Sequence, residues 1–497
     1  MRARIAQAVL IFLICVAAAW AAQPFTILFF NDFHAHLEPF EVPGTEGEVG
    51  GLARLAGLAD EVRGENEAAG APTFLLVAGD MVQGTPYSTV YRGEVEFTCL
   101  NEMAVSAMCL GNHEFDYGQE NLRDLMELAD FLVISANVTV TGTAGDGAFT
   151  KGFVWLEAGD KRVLVIGLTT PETPITTAPR NVVGLEFADP AATAKAVISE
   201  YGEDADAIVA LTHLGFENDL ALAGDVPELD VVVSGHTHTH LGEMVTKRDT
   251  IICSAYEYGM YLGRMDLEIV DGGIAVKGYA LLPVTSSTPE NEAVAAVIDQ
   301  YKTGLSEKLD VVVGTVDTVL NRKAVTEKET NFGDFVADLV REATGADAAL
   351  VNGGGVRADL GPGEITLGDV LTALPFGNEV VVLDVPGATL RRAFELCARE
   401  KVGEGGFLQV SGCEYAIGPD NILAAVNVGG APLDDGVTYK VAMPDFLAEG
   451  GDGYAMFASL EPAYKTGLVL YDVVASGLRE GRAVPEQPAG RIEFVGE

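Results

Sequence analysis

The stretch Gly111-Asn112-His113-Glu114-Phe115-Asp116 packs an amide, an imidazole and a carboxylate into adjacent positions. It follows an apolar run and precedes a segment with helical spacing from Gln119 to Asp130. That order predicts a strand-to-helix loop, which is where open α/β sheets place their chemistry. An amide oxygen can ligate a metal, and an imidazole can contact an anion while a carboxylate holds its other ring nitrogen. Taken alone, the stretch is equally compatible with a polar turn.

Four further clusters carry the same residue types: Asp32-Phe33-His34, Gly79-Asp80, His213 and Gly235-His236-Thr237-His238. The chain has seven histidines, at positions 34, 36, 113, 213, 236, 238 and 240, and each lies in or beside a cluster. Two of them, His36 and His240, match no ligand position, and we interpret them as supporting or surface residues. The alternative interpretation of the whole set is structural histidines on turns.

Short apolar runs precede the clusters and alternate with helical stretches, as in Phe25–Phe30, Phe74–Ala78, Phe131–Ala136, Arg162–Leu168, Ala207–Thr212 and Asp230–Ser234. Buried strands alternating with helices predict an α/β layered domain. Four of these strands end at a ligand-type residue. The repetition indicates one shared site at the carboxyl ends of the strands.

The candidate ligands are carboxylates, imidazoles and one amide, without cysteine: Asp32, His34, Asp80, Asn112, His213, His236 and His238. Such a set suits Zn²⁺, Mn²⁺ or Co²⁺. Seven ligands exceed what one ion needs, so we predict two divalent ions that share a bridging carboxylate, with Asp80 as the bridge. Two ions ~3.5–4 Å apart can hold a hydroxide nucleophile and stabilise both oxygens of an in-line displacement at phosphorus.

The chain has 497 residues and a formal net charge of −42, from 31 basic and 73 acidic residues. Its length predicts two or three domains, and its charge argues against nucleic acid as a partner and against an anionic membrane surface. Arg2 and Arg4 precede an apolar run from Ile5 to Ala19, which predicts a signal peptide over residues 1–21 and an exported, periplasmic or extracellular protein. The alternative is an uncleaved anchor helix. Five cysteines remain after this leader, which is no disulfide scaffold but leaves one bridge open.

The first domain closes near Pro283, and Thr285–Glu292 is polar and turn-rich. The segment Glu292–Lys308 has helical spacing and is interpreted as an interdomain helix. We therefore predict a first domain over 24–285, a linker helix over 286–309 and a second domain over 310–497. A C-terminal hydrophobic tail is not expected, so no stable membrane anchor is predicted.

The second domain contains three candidate binding stretches. In Asn352-Gly353-Gly354-Gly355-Val356-Arg357, the glycines let backbone N–H groups approach an anion, Gly354 among them, and the arginine offers a bidentate phosphate contact. Phe376 and Phe446 occur in glycine-flanked, loop-like settings, where two rings can clamp a nucleobase at ~1–3 kcal/mol per base. Asp452 can accept hydrogen bonds from ribose hydroxyls. Core packing or a tight turn is the alternative for each stretch alone.

The order of the five metal-type clusters resembles that of the calcineurin-like metallophosphoesterases. The resemblance implies a four-layer α/β/β/α sandwich and one ion held by Asp32, His34, Asp80 and His238. It implies a second ion held by Asp80, Asn112, His213 and His236. In the same way, it implies that His113, steadied by Asp116, contacts the phosphate and is catalytic.

Together with these clusters, the C-terminal stretches resemble the 5′-nucleotidase family, which includes periplasmic UDP-sugar hydrolases and animal ecto-5′-nucleotidases. The resemblance implies a second, α+β substrate-binding domain in which Asn352 and Arg357 bind the phosphate and ribose, Phe376 and Phe446 stack the base, and Asp452 holds the sugar. It also implies rotation of the domains about the linker helix. One departure is Thr326, which stands near the place where many members carry an arginine; Arg322 and Lys328 are candidate substitutes.

We predict a secreted 5′-nucleotidase with two divalent metal ions, acting on nucleoside 5′-monophosphates as a monomer or homodimer. Three alternatives share the scaffold: a pyrophosphatase of nucleotide sugars or nucleoside diphosphates, a 2′,3′-cyclic nucleotide phosphodiesterase and a thiosulfohydrolase. An alternative of another class is a catalytically silent nucleotide-binding protein.

Overall fold

The computed structural model describes residues 23–42, 45, 47–142, 147–270 and 273–496. The predicted signal peptide over residues 1–21 lies outside these ranges. Within them, no helix combines the length and apolar character that a membrane crossing requires.

The N-terminal half is built from many short strands: β1 (Gln23–Phe30), β2 (Phe40–Glu41), β3 (Glu48–Val49), β4 (Thr73–Val77), β5 (Ala107–Cys109), β6 (Leu132–Ile134), β7 (Val138–Val140), β8 (Gly147–Ala148), β9 (Phe153–Ala158), β10 (Lys161–Thr169), β11 (Leu185–Phe187), β12 (Ala207–His213), β13 (Val231–Ser234), β14 (Val245–Lys247), β15 (Thr250–Cys253), β16 (Tyr261–Val270) and β17 (Gly273–Pro283). Its helices are α1 (Leu52–Ala69), α2 (Pro86–Tyr91), α3 (Glu94–Glu102), α4 (Gly118–Leu128), α5 (Thr173–Thr176), α6 (Pro190–Tyr201) and α7 (Phe216–Asp225).

Two six-stranded sheets form the centre of this half, in the orders β17-β16-β1-β4-β5-β6 and β14-β15-β13-β12-β10-β9. Side chains alternate along the strands, as period-two geometry requires. In β10, Val163 and Val165 face the core between the sheets, whereas Leu164 and Ile166 pack outward with α6 and α7. With α1, α3 and α4 covering the first sheet, the predicted four-layer α/β/β/α sandwich is confirmed.

Parallel pairing brings the candidate site residues to one edge of the sandwich. Strands β1, β4 and β5 pair in parallel in the first sheet, and β10, β12 and β13 do so in the second. The carboxyl ends of parallel strands meet at the same edge. Consequently, the loops after β1, β4, β5, β12 and β13, which carry all five clusters, converge.

The segment predicted as a linker is a helix, α8 (Glu292–Leu309). Asn291 caps it, because its side-chain oxygen accepts hydrogen bonds from the backbone N–H groups of Ala293 and Val294 at 3.0 and 2.9 Å. Its apolar side chains Val294 and Ile298 join the core of the N-terminal half. The domain boundaries themselves stay a prediction.

The C-terminal half has its own strands, β18 (Val312–Val316), β19 (Ala348–Asn352), β20 (Gly363–Thr366), β21 (Glu379–Pro386), β22 (Leu408–Ser411), β23 (Cys413–Gly418), β24 (Ile422–Val428), β25 (Ala431–Pro432), β26 (Thr438–Pro444), β27 (Pro462–Val469) and β28 (Ile492–Phe494). Its helices are α9 (Asn331–Thr344), α10 (Leu367–Ala373), α11 (Gly387–Leu396), α12 (Asp445–Ala448) and α13 (Leu470–Arg479). A five-stranded sheet, β22-β19-β26-β21-β27, carries separate apolar cores on its two faces. This is the α+β unit expected from the sequence.

The stretch Glu329-Thr330-Asn331-Phe332-Gly333 at the start of α9 stabilises the fold and does not line the cavity between the two halves. Thr330 caps the helix by accepting a hydrogen bond from the backbone N–H of Gly333. A Cβ on Gly333 would lie 2.1 Å from the side-chain oxygen of Gln409, so only glycine fits there. Cysteines 99, 109, 253, 397 and 413 are all buried and unpaired, and the bridge left open by the sequence is not formed.

Candidate metal and nucleotide site

The backbone turns sharply where the clusters leave the strands. Five candidate ligands have positive φ, at 48° for Asp32, 49° for His34, 53° for Asp80, 87° for His236 and 49° for His238. Residues other than glycine adopt this region at a cost of order 1–3 kcal/mol each, and they cluster at functional sites. The strain turns side chains from separate strands toward a common point.

His34, His238 and Asp32 form one half of the cluster. The Nε2 atoms of His34 and His238 lie 3.0 Å apart. The Nε2 of His238 is 3.5 Å from an Asp32 carboxylate oxygen, and the Nε2 of His34 is 3.9 Å from an Asp80 oxygen.

The outward nitrogens (Nδ1) of His34 and His238 make hydrogen bonds that determine whether the inward nitrogens (Nε2) carry a proton or a lone pair. The Nδ1 of His34 lies 3.0 Å from the carbonyl oxygen of Gln83, and the Nδ1 of His238 bonds the Glu257 carboxylate. Because both partners are acceptors, both Nδ1 atoms carry the proton, and in the neutral rings both Nε2 atoms present lone pairs. Two lone pairs at 3.0 Å repel each other unless a cation lies between them. The donor set therefore fits a divalent ion.

His213 and Asp80 repeat this arrangement in the other half. The Nδ1 of His213 donates to the carbonyl of Ala78 at 2.7 Å, and its Nε2 faces an Asp80 oxygen at 3.0 Å. Within the part of the chain that the structure describes, that Nε2 and the Oδ1 of Asn112 are buried without a hydrogen-bond partner. Despite burial, the carboxylates of Asp80 and Asp32 raise the pKa of His213 to about 10, so a positive charge is favoured at this nitrogen. The ligand atoms of Asp80, His213 and His236 lie within 4.8 Å of one another, and with the unpartnered oxygen of Asn112 they fit a second ion, which would supply that positive charge.

Two glycines of the motifs leave no space for a side chain, because other atoms of the site lie close to their Cα atoms. A Cβ on Gly111 would lie 2.1 Å from the Oδ1 of Asp80, and one on Gly235 would lie 2.3 Å from the carbonyl oxygen of Ala78. Either atom would displace the loop that carries a candidate ligand. The glycines preceding Asn112 and His236 are thus part of the site's geometry.

His113 stands on a 3₁₀ turn, His113–Phe115, within the predicted loop. Its Nδ1 bonds Asp116 at 2.5 Å, and the other oxygen of Asp116 accepts from the hydroxyl of Thr177 at 2.7 Å. Burial lowers the pKa of His113, but the carboxylates of Asp116 and Asp80 outweigh it and raise the pKa above its ordinary value. The free Nε2 is thereby prepared to donate a proton to an anion.

Sequence reasoning missed the groups that hold the loops. The carboxylate of Glu114 accepts from the backbone N–H groups of Asp80, Met81 and Gly111 at 2.9, 2.8 and 2.6 Å. Glu114 belongs to the stretch Gly111–Asp116, and this place within a ligand motif is the sequence signal that could have identified it. Glu257, which orients His238, lies outside every motif.

His36 and His240, the two histidines that match no ligand position, have different surroundings. His36 stacks on Tyr258 with centroids 4.0 Å apart, and its Nδ1 donates to the carbonyl of His34 at 2.8 Å, which braces that loop. Burial lowers its pKa to about 4. His240 is exposed beside Tyr261.

One cavity of about 980 Å³ joins the cluster of candidate metal ligands, here called the metal cluster, to the C-terminal half. Every predicted substrate residue lines it: Asn352, Gly354, Arg357, Phe376, Phe446 and Asp452. The N-terminal lining includes Asp80, Asn112, His113, His236 and His238. The two halves therefore face one space.

The wall from the C-terminal half contains a polar pair and a ring. The amide of Asn352 donates to Asp452 at 2.9 Å, and burial raises the pKa of Asp452 to about 6. The ring of Phe376 lies 6.1 Å from that of His113 and 6.0 Å from the guanidinium carbon of Arg357. Arg357 and Phe376 thus stand beside the metal cluster.

Phe446 differs from its expected setting. It belongs to the short helix α12 rather than to a loop, and its ring covers Gly451, where a Cβ would lie 2.5 Å from the ring. Pro444, which precedes Asp445, starts this helix at the end of β26. The ring is only partly buried and still lines the cavity.

Thr326, which stands near the place of the family's arginine, makes a backbone contact. Its carbonyl accepts from the N–H of Gly403 at 2.7 Å. Arg322 and Lys328 are exposed, and neither is among the residues lining the cavity. Lys401, which the sequence did not suggest, does line it.

Contacts between the halves flank the cavity. Arg180 lies 3.1 Å from Asp445 and 3.0 Å from Glu449, directly beside Phe446. On another side, the hydroxyl of Thr89 donates to the carbonyl of Pro375 at 3.1 Å.

The sandwich, the converging ligands and the two-walled cavity define a two-domain metallophosphoesterase. In agreement, residues 25–240 match the family model of the calcineurin-like phosphoesterases, and residues 312–459 match that of the 5′-nucleotidase C-terminal domain. The chain belongs to the 5′-nucleotidase family and is a phosphoric ester hydrolase.

Individual relatives agree with this assignment. The chain is 32% identical to a 5′-nucleotidase of Vibrio cholerae over 96% of its own length and 95% of that protein. It is 33% identical to the trifunctional nucleotide phosphoesterase YfkN of Bacillus subtilis over 95% of its own length but only 35% of that longer protein. The crystal structure of a 5′-nucleotidase precursor from Thermus thermophilus superimposes with a TM-score of 0.84 and 32% identity, covering 95% of this chain and 100% of that one.

Replacing the candidate bridging ligand tests the metal cluster. We expect Asp80→Ala to lose bound metal and to lower kcat by about a thousandfold or more, because both halves of the cluster share this carboxylate. Metal content by elemental analysis and steady-state turnover measure the two effects. The exposed Asp124→Ala on α4 is the matched control. Full metal content with wild-type turnover in Asp80→Ala would show that the bridge is misassigned.

Glu114 gives a separate test of the loops behind the ligands. We expect Glu114→Gln to lower the free energy of unfolding by about 3 kcal/mol, because an amide NH₂ would face N–H groups that now donate to a carboxylate. Metal affinity should fall as well, since the Asp80 and Gly111 loops lose a common anchor. Urea unfolding and metal titration measure both quantities, with exposed Glu61→Gln as control. Unchanged stability would contradict the anchoring role.

Proposed function

We propose that the protein is an exported 5′-nucleotidase that hydrolyses nucleoside 5′-monophosphates to nucleoside and phosphate. One observation carries the proposal: a single cavity connects the cluster of metal-type ligands to Phe376, Phe446 and the Asn352–Asp452 pair. A phosphate at the cluster would leave its nucleoside among aromatic and hydrogen-bonding groups. The leader sequence at residues 1–21 supports export, and a monomer or homodimer remains the prediction for assembly.

Two divalent ions would be held by Asp32, His34, Asp80, Asn112, His213, His236 and His238. Bound there, they would activate water for in-line attack and neutralise phosphate charge. The chain's own groups supply the rest. The Nε2 of His113 would donate to a phosphate or leaving-group oxygen, with Asp116 holding the ring and favouring its charged form. Arg357 would bind the phosphate through its fork of N–H donors.

The nucleoside would be recognised on the C-terminal wall. Phe446 and Phe376 offer ring faces for the base, a contact that tolerates different bases because each has a π-face. Asp452 would accept from ribose hydroxyls while Asn352 keeps its orientation. Since these groups and the metal cluster lie on different halves, catalysis would require both halves to face the same substrate.

A second candidate activity is hydrolysis of nucleotide sugars or nucleoside diphosphates. The cavity of about 980 Å³ is at the upper end of the range of ~300–1,000 Å³ for small-molecule sites. It therefore leaves room for a group beyond the monophosphate.

A substrate panel tests the proposal. Metal-loaded enzyme would be assayed on AMP, UDP-glucose, 2′,3′-cyclic AMP and an aryl phosphate, with products separated by chromatography. We expect kcat/KM for AMP to exceed that for the aryl phosphate by at least about tenfold, because one stacked base contributes ~1–3 kcal/mol. Equal kcat/KM values for AMP and the aryl phosphate would contradict nucleoside recognition. If the enzyme hydrolysed none of these phosphoesters, the result would favour a catalytically silent nucleotide-binding protein.

Phe446 is the sharpest test of base stacking. We expect Phe446→Ala to raise KM for AMP by about tenfold while kcat changes little, because the ring contacts the base and not the reacting phosphorus. Steady-state kinetics on an alkyl phosphate, which has no ring to stack, provide the internal control. An unchanged KM for AMP would refute the base clamp.

A further inference from the structure

A rare π-helical turn positions a lysine on the cavity wall. Helix α11 continues into a π-helix, Cys397–Lys401, whose last residue lines the cavity. Such turns are uncommon and often occur at functional sites. The loop that follows is fixed to the substrate wall, because the carbonyl of Gly405 accepts from the N–H of Gly354 at 2.7 Å.

Two glycines make room for the lysine side chain. A Cβ on Gly406 would lie 3.0 Å from the Cδ of Lys401, and one on Gly453 would lie 3.5 Å from its Nζ. The stem therefore runs past bare backbone on both sides. It delivers the ammonium to the turn that carries Asp452, whose φ of 53° marks a constrained backbone.

The ammonium of Lys401 lies at Gly453, the residue after Asp452, and forms no ion pair there with any residue that the structure describes. Burial raises the pKa of Asp452, and the bond from Asn352 and the charge of Lys401 oppose that rise. Among the described residues, the Nζ of Lys401 has no carboxylate within 4.0 Å and makes no hydrogen bond. In a chain with 73 acidic and 31 basic residues, an unpaired cation on a cavity wall is available for a ligand.

Lys401 and Arg357 serve different ends of the cavity. The guanidinium carbon of Arg357 lies 6.0 Å from the ring of Phe376, which itself lies 6.1 Å from the ring of His113, so Arg357 stands at the end of the candidate metal ligands. The Nζ of Lys401 lies instead at the turn of Asp452 and Gly453. A phosphate role for Arg357 therefore leaves Lys401 facing the sugar.

We propose that Lys401 is a specificity-determining residue that donates a hydrogen bond to a ribose hydroxyl oxygen. This inference rests on the proposed nucleotidase function. A hydroxyl both donates and accepts; a carboxylate only accepts and an ammonium only donates. A Cβ on Gly406 would lie 2.9 Å from the Cβ of Asp452 and 3.0 Å from the Cδ of Lys401, so the two side chains flank one point. Together they would complement the vicinal diol of a ribonucleoside. A sugar without hydroxyls satisfies neither group.

Comparing two enzymes on two substrates isolates this contact. Wild type and Lys401→Met, which keeps most of the stem but removes the donor, would be assayed on AMP and on 2′,3′-dideoxy-AMP. We expect the substitution to lower kcat/KM for AMP about tenfold, mainly through KM, as for loss of a charge-assisted hydrogen bond. On the dideoxy substrate the two enzymes should have the same kcat/KM. Lys401→Arg should restore most of the loss on AMP, and exposed Lys195→Met should behave as wild type.

The outcomes separate this inference from the proposed function. An equal loss on both substrates would overturn diol recognition, since the effect would not depend on the hydroxyls. No loss on AMP would overturn it as well. If wild type cleaves the aryl phosphate but not AMP, the nucleotidase proposal itself fails. If Lys401→Met does not fold by circular dichroism, Lys401→Gln provides the same comparison.

Discussion

The N-terminal half depends on a convergence of metal-type ligands, among them two imidazole nitrogens whose lone pairs repel each other without a cation. The inward nitrogens of His34 and His238 face each other at 3.0 Å, and that of His213 faces a carboxylate oxygen at the same distance. Each outward nitrogen is tied to a carbonyl or carboxylate, so the rings cannot reverse their tautomers cheaply. The sandwich holds these groups together through parallel strands and strained loops. Ion binding would convert that repulsion into stability, because only the folded chain presents all the ligands at once.

The contacts that flank the cavity between the two halves include exposed ion pairs. Arg180 is about half exposed, with a side-chain accessibility of 47%, where it meets Asp445 and Glu449. Exposed ion pairs contribute only ~0–1 kcal/mol each. Contacts of this kind hold a cleft without locking it. The helix α8 packs on the N-terminal core, and the domain rotation that the family resemblance implies stays a prediction.

Sequence patterns predicted those features that depend on local order. Apolar runs located β1, β4 and β12 to within a residue or two, and the segment Glu292–Lys308 with helical spacing is the helix α8 (Glu292–Leu309). The strand ends then placed the clusters on one edge. What the sequence did not show depends on partners distant in the chain: Glu257 reaches His238 across 19 positions, and Glu114 reaches Asp80 across 34. The helical setting of Phe446 was missed because α12 spans only one turn, too short for periodicity to register.

The strongly acidic chain must still admit an anionic substrate. A net charge of −42 repels a phosphate at long range, and the cavity walls add Asp116, Glu172 and Glu404 to that field. Fixed cations on the cavity wall, namely Arg92, Arg180, Arg357 and Lys401, counter it only locally. Divalent ions on the converging ligands would add the largest positive charges in the cavity. The same ions would therefore assemble the site, draw the phosphate inward and set it for attack, whereas under the proposed function the C-terminal wall would determine which phosphate ester stays bound long enough to react.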